Sequence, residues 1–144
     1  MNKRVLKSYL KGSKREILEL NCFRYKDSFL ISDSYSIIKL NNNYDLQVQD
    51  KDTTGLCKFY EDFENNFETF KEFEPLEVSI MQIDDKYEIN MGLLKKINNI
   101  IKGNKFTILE NKDKIGCSWS LRYVIKIENT KTNEVGYLLP MRKF

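Results

Sequence analysis

The stretch NMGLLKKINNIIK, residues 90–102, has the spacing of an amphipathic helix. Its apolar residues recur three and four positions apart, so a helix would bring them onto one face. They are Leu93, Leu94, Ile97, Ile100 and Ile101, with Lys95, Lys96 and Lys102 largely on the other side. Gly103 follows directly, as is common where helices end. The stretch therefore predicts a helix with a basic outer face.

Short β-forming segments bounded by turn residues surround this helix. Leu76–Ile83 and Lys86–Ile89 precede it, on either side of a turn at Asp84 and Asp85. The segments that follow it are Lys105–Glu110, Ile115–Trp119, Tyr123–Glu128 and Val135–Pro140, with a turn at Thr130–Asn133 between the last two. Residues 75–144 thus predict strands, a helix and then an antiparallel meander.

The first part of the chain has the same order. Residues 2–12 predict a helix whose apolar stripe is opposed by Lys3, Arg4, Lys7 and Lys11. The β-forming segments after it are Glu16–Phe23, Ser28–Ser32, Tyr35–Leu40 and Tyr44–Gln49. The two parts, about 1–55 and 75–144, share this order without an obvious sequence repeat. We expect a single α+β domain of two βαβββ-like halves with a pseudo-two-fold, with the helices on one face of the sheets.

Residues 56–74 differ from both halves because they combine aromatic and acidic residues. The aromatic residues at helical spacing are Phe59, Phe63, Phe67 and Phe70, and the acids between them are Glu61, Asp62, Glu64 and Glu68. This pattern predicts one helix that connects the halves. Two interpretations are open: an amphipathic helix packed on the core, or an acidic surface that engages a basic partner.

Length and composition exclude several function classes. The chain has 144 residues, a net charge of +3, no histidine, and three cysteines without zinc or redox spacing. The lack of histidine excludes Ser-His-Asp and Cys-His catalysis and every histidine-containing metal site. No glycine-rich phosphate loop is present, so we expect no enzyme, cofactor or metal. No apolar run reaches the roughly 18 residues that span a membrane and no signal peptide is evident, so we expect a cytoplasmic protein.

Two stretches resemble the bacterial β-type DNA sliding clamp, the processivity factor of the replicative polymerase. SFLISDSYSIIKL, residues 28–40, resembles the clamp strand that enters a Thr-Asp-Gly-x-Arg-Leu turn, and GYLLPMRKF, residues 136–144, resembles the closing strand and tail of clamp chains. Residues 87–97 and 121–128 are similar to the strand-to-helix entry and the penultimate strand of a clamp half-domain. The turn departs from the family at Ser36, where clamps have a basic residue, and a clamp chain has three such domains.

The resemblance implies a DNA-clamp-like domain that acts as a non-enzymatic, DNA-associated accessory protein of replication. In clamps, helices line a central hole and present Lys and Arg to the phosphate backbone through non-specific, salt-sensitive contacts. The residues that would contact duplex DNA are Lys3, Arg4, Lys7, Lys11, Lys95, Lys96 and Lys102. Solvated helix faces are the equally open interpretation. The absence of alanine, with abundant Asn, Lys and Ile, favours a phage or a low-GC bacterium as the source.

Clamps also bind short polymerase peptides in an apolar pocket between that turn and a C-terminal tail. The matching positions are Tyr35, Ile37, Leu139, Pro140 and Met141. If these lie far apart in one domain, the pocket forms only across a head-to-tail interface between copies. A monomer, a dimer and a larger homo-oligomer are equally compatible with the sequence. A core strand with a tail packed on it is the alternative interpretation.

A second function class stays open beside the clamp-like one. It is a phage interaction protein that inhibits a host factor, as an anti-defence protein or a host-replication inhibitor. Its contact surface would be the acidic aromatic segment 56–74, its partner a host protein, and it would not bind DNA.

Overall fold

A computed structural model gives the fold. The segments that it describes are residues 22–33, 35–44, 46–49, 55–113 and 121–143. The helix expected over 2–12 and the strand expected over Ile115–Trp119 lie outside these segments.

Within the described segments the chain forms ten strands and two helices. The strands are β1 (Cys22–Tyr25), β2 (Ser28–Ser32), β3 (Ser36–Leu40), β4 (Phe67–Glu72), β5 (Ile80–Gln82), β6 (Tyr87–Asn90), β7 (Lys105–Asn111), β8 (Tyr123–Asn129), β9 (Glu134–Leu138) and β10 (Met141–Arg142). The helices are α1 (Leu56–Asn65) and α2 (Met91–Ile101). The α+β class is confirmed. Neither described helix has the length and apolar content that crossing a bilayer requires.

Seven strands form one antiparallel sheet in the order β1-β2-β3-β9-β8-β7-β4. Its two meanders, β1-β2-β3 and β7-β8-β9, meet through their last strands, since β3 pairs with β9. A second sheet, β10-β6-β5, places the last described strand beside the strand that leads into α2.

Both faces of the large sheet are buried. Successive side chains of a strand point to opposite faces, so neighbouring residues belong to different cores. The α2 face buries Ile31, Ile38, Ile125 and Leu138, and the α1 face buries their neighbours Leu30, Ile37, Val124 and Tyr137. The two helices therefore lie on opposite faces. This arrangement does not test the expectation that the helices of the two halves share one face, because α1 belongs to the connecting segment and not to either half. The helix expected over 2–12, as the counterpart of α2, is not among the described residues.

The helix expected over residues 90–102 is confirmed as α2. The Asn90 side chain accepts a hydrogen bond from the Leu93 N–H at 3.1 Å and caps its first turn. The left-handed residue at its end is Lys102, with φ of 51°, one position before the expected Gly103. Gly103 is needed for space, because a Cβ there would lie 2.5 Å from the Ile127 side chain.

The prediction of a single helix over residues 56–74 is wrong. The helix α1 ends at Asn65, and residues 67–72 form strand β4 at the edge of the large sheet. The Asn66 N–H still donates to the Asp62 carbonyl at 2.8 Å, and the chain then turns into the pairing with β7. Phe67 is consequently buried while Phe70 is exposed. The aromatic spacing predicted a stripe that the backbone interrupts.

Two further strands are shorter than expected. Of Leu76–Ile83, only Ile80–Gln82 pairs as a strand. Residues 44–49 make one bridge, between Gln49 and Phe23, and no strand among the residues described there. Tyr44 has a φ of 49°, and its N–H binds the Asn42 side chain, which turns the chain out of an extended path. The strands that follow α2 and the turn over Thr130–Asn133 are confirmed where the structure describes them.

Candidate functional site

An apolar pocket of about 220 Å³ opens where the β2–β3 turn, α1 and the end of β9 meet. Its polar edge comes from the turn, and its walls come from aliphatic and aromatic side chains. The lining residues are Ser32, Asp33, Ser36, Ile37, Phe59, Phe63, Leu121, Tyr137 and Leu139. The volume is below the roughly 300–1,000 Å³ of typical small-molecule sites, so it suits apolar side chains better than a cofactor.

Asp33 holds the turn at the edge of this pocket. Its Oδ1 accepts hydrogen bonds from the Tyr35 N–H at 2.8 Å and from the Ser36 hydroxyl at 2.9 Å. The Asp33 N–H in turn donates to the Ser36 carbonyl at 3.2 Å. An Asp side chain that binds backbone two positions on is a common way to fix a turn. Asp33 therefore links the two described sides of the turn.

The turn and the C-terminal tail are adjacent in one chain. The Leu139 N–H donates to the Tyr35 carbonyl at 2.9 Å, one position beyond the pairing of Ser36 with Leu138. The two stretches expected to form a peptide pocket thus meet without a second copy. The case in which they lie far apart, with a pocket completed across a head-to-tail interface, does not arise.

The five residues expected at the peptide site divide into two groups. Ile37 and Leu139 line the pocket. Tyr35 lies beside it, with its side chain 55% exposed. Pro140 and Met141 are not among the lining residues, because the tail turns away and Met141 pairs with Glu88 in the second sheet.

Seven lining residues were not among the five expected: three belong to the β2–β3 turn, and the other four are Phe59, Phe63, Leu121 and Tyr137. Phe59 and Phe63 are one helical turn apart on α1, so they are neighbours on one side of the helix, and both line the pocket. Phe63 is buried, whereas Phe59 is 57% exposed at the mouth. Their spacing was a usable signal for a shared face, but it could not show that the outer ring borders a pocket.

Aromatic side chains pack against one another behind the pocket. The Tyr137 hydroxyl donates to Glu64 Oε1 at 2.7 Å, and the Tyr137 ring lies 5.3 Å from Phe63 and 5.7 Å from Tyr60. Burial, with the nearby Glu64 carboxylate, raises the pKa of Tyr137 and of Tyr60 far above the usual range. Both tyrosines stay neutral at physiological pH, and Glu64 serves as a structural acceptor.

A second, more polar depression lies on the other side of Phe59. Its lining includes Lys58, Glu61 and Asp62 of α1. Glu61 is exposed and Asp62 is half-buried. Phe59 therefore separates an apolar pocket from a surface that carries two carboxylates.

The basic residues expected to contact DNA are only partly described. Lys95, Lys96 and Lys102 are all exposed, and α2 carries no acidic residue between Met91 and Ile101. The other four, Lys3, Arg4, Lys7 and Lys11, lie outside the described residues. The described basic helix and the acidic helix α1 lie on opposite faces of the large sheet, so their charges are spatially separated.

The described residues contain no group of three or more potential metal-binding side chains. Asp84 acts in a turn, where its Oδ1 accepts from the Lys86 N–H at 2.8 Å and from the Tyr87 N–H at 2.9 Å. Burial raises the pKa of the Cys22 thiol to about 11, which leaves it unreactive at neutral pH.

Comparison of the chain with protein-family models, with curated proteins and with solved structures gave no match.

Proposed function

We propose that the protein is a non-enzymatic, clamp-like accessory protein of phage or bacterial DNA replication that holds a short peptide of its partner in the apolar pocket. The observation that carries this proposal is the hydrogen bond between Leu139 and Tyr35. It joins the two stretches that resemble clamps, and the pocket opens beside them.

The chemistry of the pocket limits what the peptide looks like. Ile37, Phe63 and Leu139 favour aliphatic or aromatic side chains, which gain most from leaving water. Glu61 and Asp62, beyond Phe59, favour a basic residue next to that apolar anchor. The ligand class is therefore an extended peptide with an apolar residue followed or preceded by a lysine or arginine.

A peptide-binding measurement tests the pocket. Fluorescence anisotropy with labelled short peptides that combine Leu or Phe with neighbouring Lys should show saturable binding. Replacing the Lys with Glu in the same peptides should weaken binding several-fold, because the carboxylates of α1 then repel the ligand. Leu139→Asp should weaken it by at least tenfold, because it places a charge in the apolar wall.

Phe59→Ser tests the mouth of the pocket, and Leu76→Ser is its matched control. The two residues have similar exposure, 57% and 56%, but lie on different surfaces. Phe59→Ser should lower peptide affinity, and Leu76→Ser should leave it unchanged. Equal effects of the two, or no saturable binding by any apolar-basic peptide, would reject the pocket as the functional site.

DNA association is the second half of the proposal, and it is supported by the acid-free, lysine-bearing surface of α2. Duplex binding should weaken steeply with salt, with a slope of about 0.9 in log–log form for each phosphate contact. The double variant Lys96→Glu, Lys102→Glu should reduce both the affinity and this slope. Lys58→Glu, the same change on α1 across the sheet, is the control. Negligible retention on DNA at low salt would remove the replication role.

The alternative is an inhibitor that binds a basic host protein through residues 56–74. Exposed Phe59 and Phe70, with the exposed acids Glu61, Glu68 and Glu72, favour it. Glu64 is unsuitable for testing it, because it accepts the Tyr137 hydroxyl. Reversal of Glu61, Glu68 and Glu72 to Lys should abolish such a complex. If a purified complex survives these changes, the acidic segment is not its contact surface.

A further inference from the structure

An apolar ridge stands on the surface between β4 and β5, far along the chain from the peptide pocket. Its side chains are Leu76, Val78 and Ile80, which are 56%, 48% and 47% exposed. Exposed aliphatic side chains in such proximity mark an interaction surface more often than scattered ones do. The ridge is therefore a candidate protein-binding surface.

The segment that carries the ridge ends in β5, which is an edge strand of the second sheet. The Met91 N–H donates to the Ser79 carbonyl at 3.0 Å, and the Ile83 N–H donates to the Tyr87 carbonyl at 3.0 Å. Residues 79 and 83 thus hydrogen-bond inward to β6 and the start of α2, as expected for alternate positions of a strand. Met81 and Ile83 pack against the core, while Ile80 between them faces out.

A groove of about 530 Å³ runs beside this ridge, between residues 75–79 and α2. Leu76 and Val78 line the outer wall, whereas Met91 and Leu94 on the helix side are buried, so the accessible surface of that wall comes mainly from Lys95, Asn98 and Asn99. One charged residue stands on each wall, Glu77 on the segment and Lys95 on the helix. Ile80 is not among the lining residues, so its exposed side chain is free to enter a groove elsewhere.

We propose that the ridge and groove form a two-fold interface between two copies of this chain. In a two-fold contact the same patch meets itself, so Ile80 of each copy enters the groove of the other. The opposite charges on the two walls fit this arrangement, because Glu77 of one copy then faces Lys95 of the second copy, and the pair occurs twice. An isologous interface requires a patch that is complementary to itself, and the exposed Ile80 with the neighbouring groove would form such a patch.

The edge strand β4 shows the opposite chemistry. It carries Glu68 and Glu72, all of its side chains after Phe67 are exposed, and a bulge interrupts its register between Thr69 and Lys71. Charges and bulges are the devices that keep sheet edges from pairing with other chains. Glu77 is the one charged residue among residues 75–80. Self-association is therefore expected at the ridge and not at β4.

Light scattering over a concentration series tests the interface. The wild-type chain should move from the mass of a monomer to that of a dimer as its concentration rises. Ile80→Glu should weaken dimerisation by at least a hundredfold, because it places a charge against the aliphatic wall formed by Leu76 and Val78 twice per dimer. Phe59→Ser, which changes an equally exposed apolar residue at the peptide pocket, should leave the mass unchanged.

A charge swap separates this contact from a general loss of structure. Glu77→Lys and Lys95→Glu alone should each weaken the dimer by about tenfold, since each creates two like-charge contacts. The double variant should recover most of the wild-type affinity. A monomeric wild-type chain at up to about 1 mM, the weak end of specific association, overturns the proposal. So does a dimer that Ile80→Glu leaves intact, or a swap that shows no recovery.

Discussion

Asp33 and Asp84 each stabilise a turn by accepting hydrogen bonds. Each uses Oδ1 to accept two hydrogen bonds from residues two and three positions ahead. Asp33 fixes the edge of the peptide pocket, and Asp84 fixes the turn between β5 and β6. Both aspartates are therefore explained by backbone geometry, and neither needs a catalytic role.

Asp84 gives the chain a predictable pH response. Partial burial works against its ionisation, but hydrogen bonds from two backbone N–H groups and from the Tyr123 hydroxyl outweigh it and hold the pKa of Asp84 below its usual range. A folded-state pKa below the unfolded value of about 3.9 stabilises the fold above that pH. This contribution disappears as the pH falls through the folded-state pKa.

We therefore expect Asp84→Asn to lower the free energy of unfolding at neutral pH and to have a shallower loss of stability in acid. Urea unfolding at a series of pH values measures this, and the curves of variant and wild type should converge as the pH falls through the folded-state pKa of Asp84. Asp85→Asn, one position on and exposed, is the control and should follow the wild type. Parallel curves for Asp84→Asn and wild type would contradict the assignment.

At the scale of elements, Gly136 marks a close approach between α2 and β9. A Cβ at Gly136 would lie 2.5 Å from Ile97 Cγ2, so a larger residue must displace the helix or the strand. Gly136→Ala should destabilise the protein by about 1–3 kcal/mol, as overpacking does. Urea unfolding measures the change.

The Ile97→Leu background is the control for this overpacking, because leucine carries no methyl branch at Cβ. In that background Gly136→Ala should cost clearly less than it does alone, which a double-mutant cycle would report as a favourable coupling. Strictly additive effects would show that the close approach is not the cause.

Elements with a strong period could be predicted from sequence, and those set by distant partners could not. The 3.6-residue period of α2 and the β-forming segments between turn residues that became β7 to β9 are local properties, so both were foreseeable. The aromatic spacing from Phe59 to Phe70 fits a helix just as well as a helix followed by a strand. Pairing with β7 decides between them, and that pairing is not local. The meeting of Leu139 with Tyr35 likewise depends on the β3–β9 register.

At the scale of the whole molecule, one sheet is shared by two cores. Ile37 and Ile38 are adjacent, yet one packs under α1 and the other under α2. Loss of either core therefore removes support from the same strands. A single cooperative unfolding transition is expected for such an arrangement.

Ile97→Ala on the α2 side and Phe63→Ala on the α1 side test this sharing. Each should cost about 2–5 kcal/mol, and circular dichroism and tyrosine fluorescence should give coincident urea transitions in both variants. Lys58→Ala, an exposed position on α1 outside the proposed interface, should change stability by less than about 0.5 kcal/mol and serves as the reference. Separate transitions in either core variant would mean that the two layers fold independently.

The position of β9 has a consequence for synthesis on the ribosome. Glu134–Leu138 lies between β3 and β8 in the middle of the large sheet, so the first meander acquires its central neighbour only after about a hundred further residues. Contacts so distant along the chain slow folding and leave strand edges open in the meantime. Nascent chains that stall before Glu134 should thus be unusually dependent on chaperones, and premature termination there should yield aggregates rather than a smaller folded product.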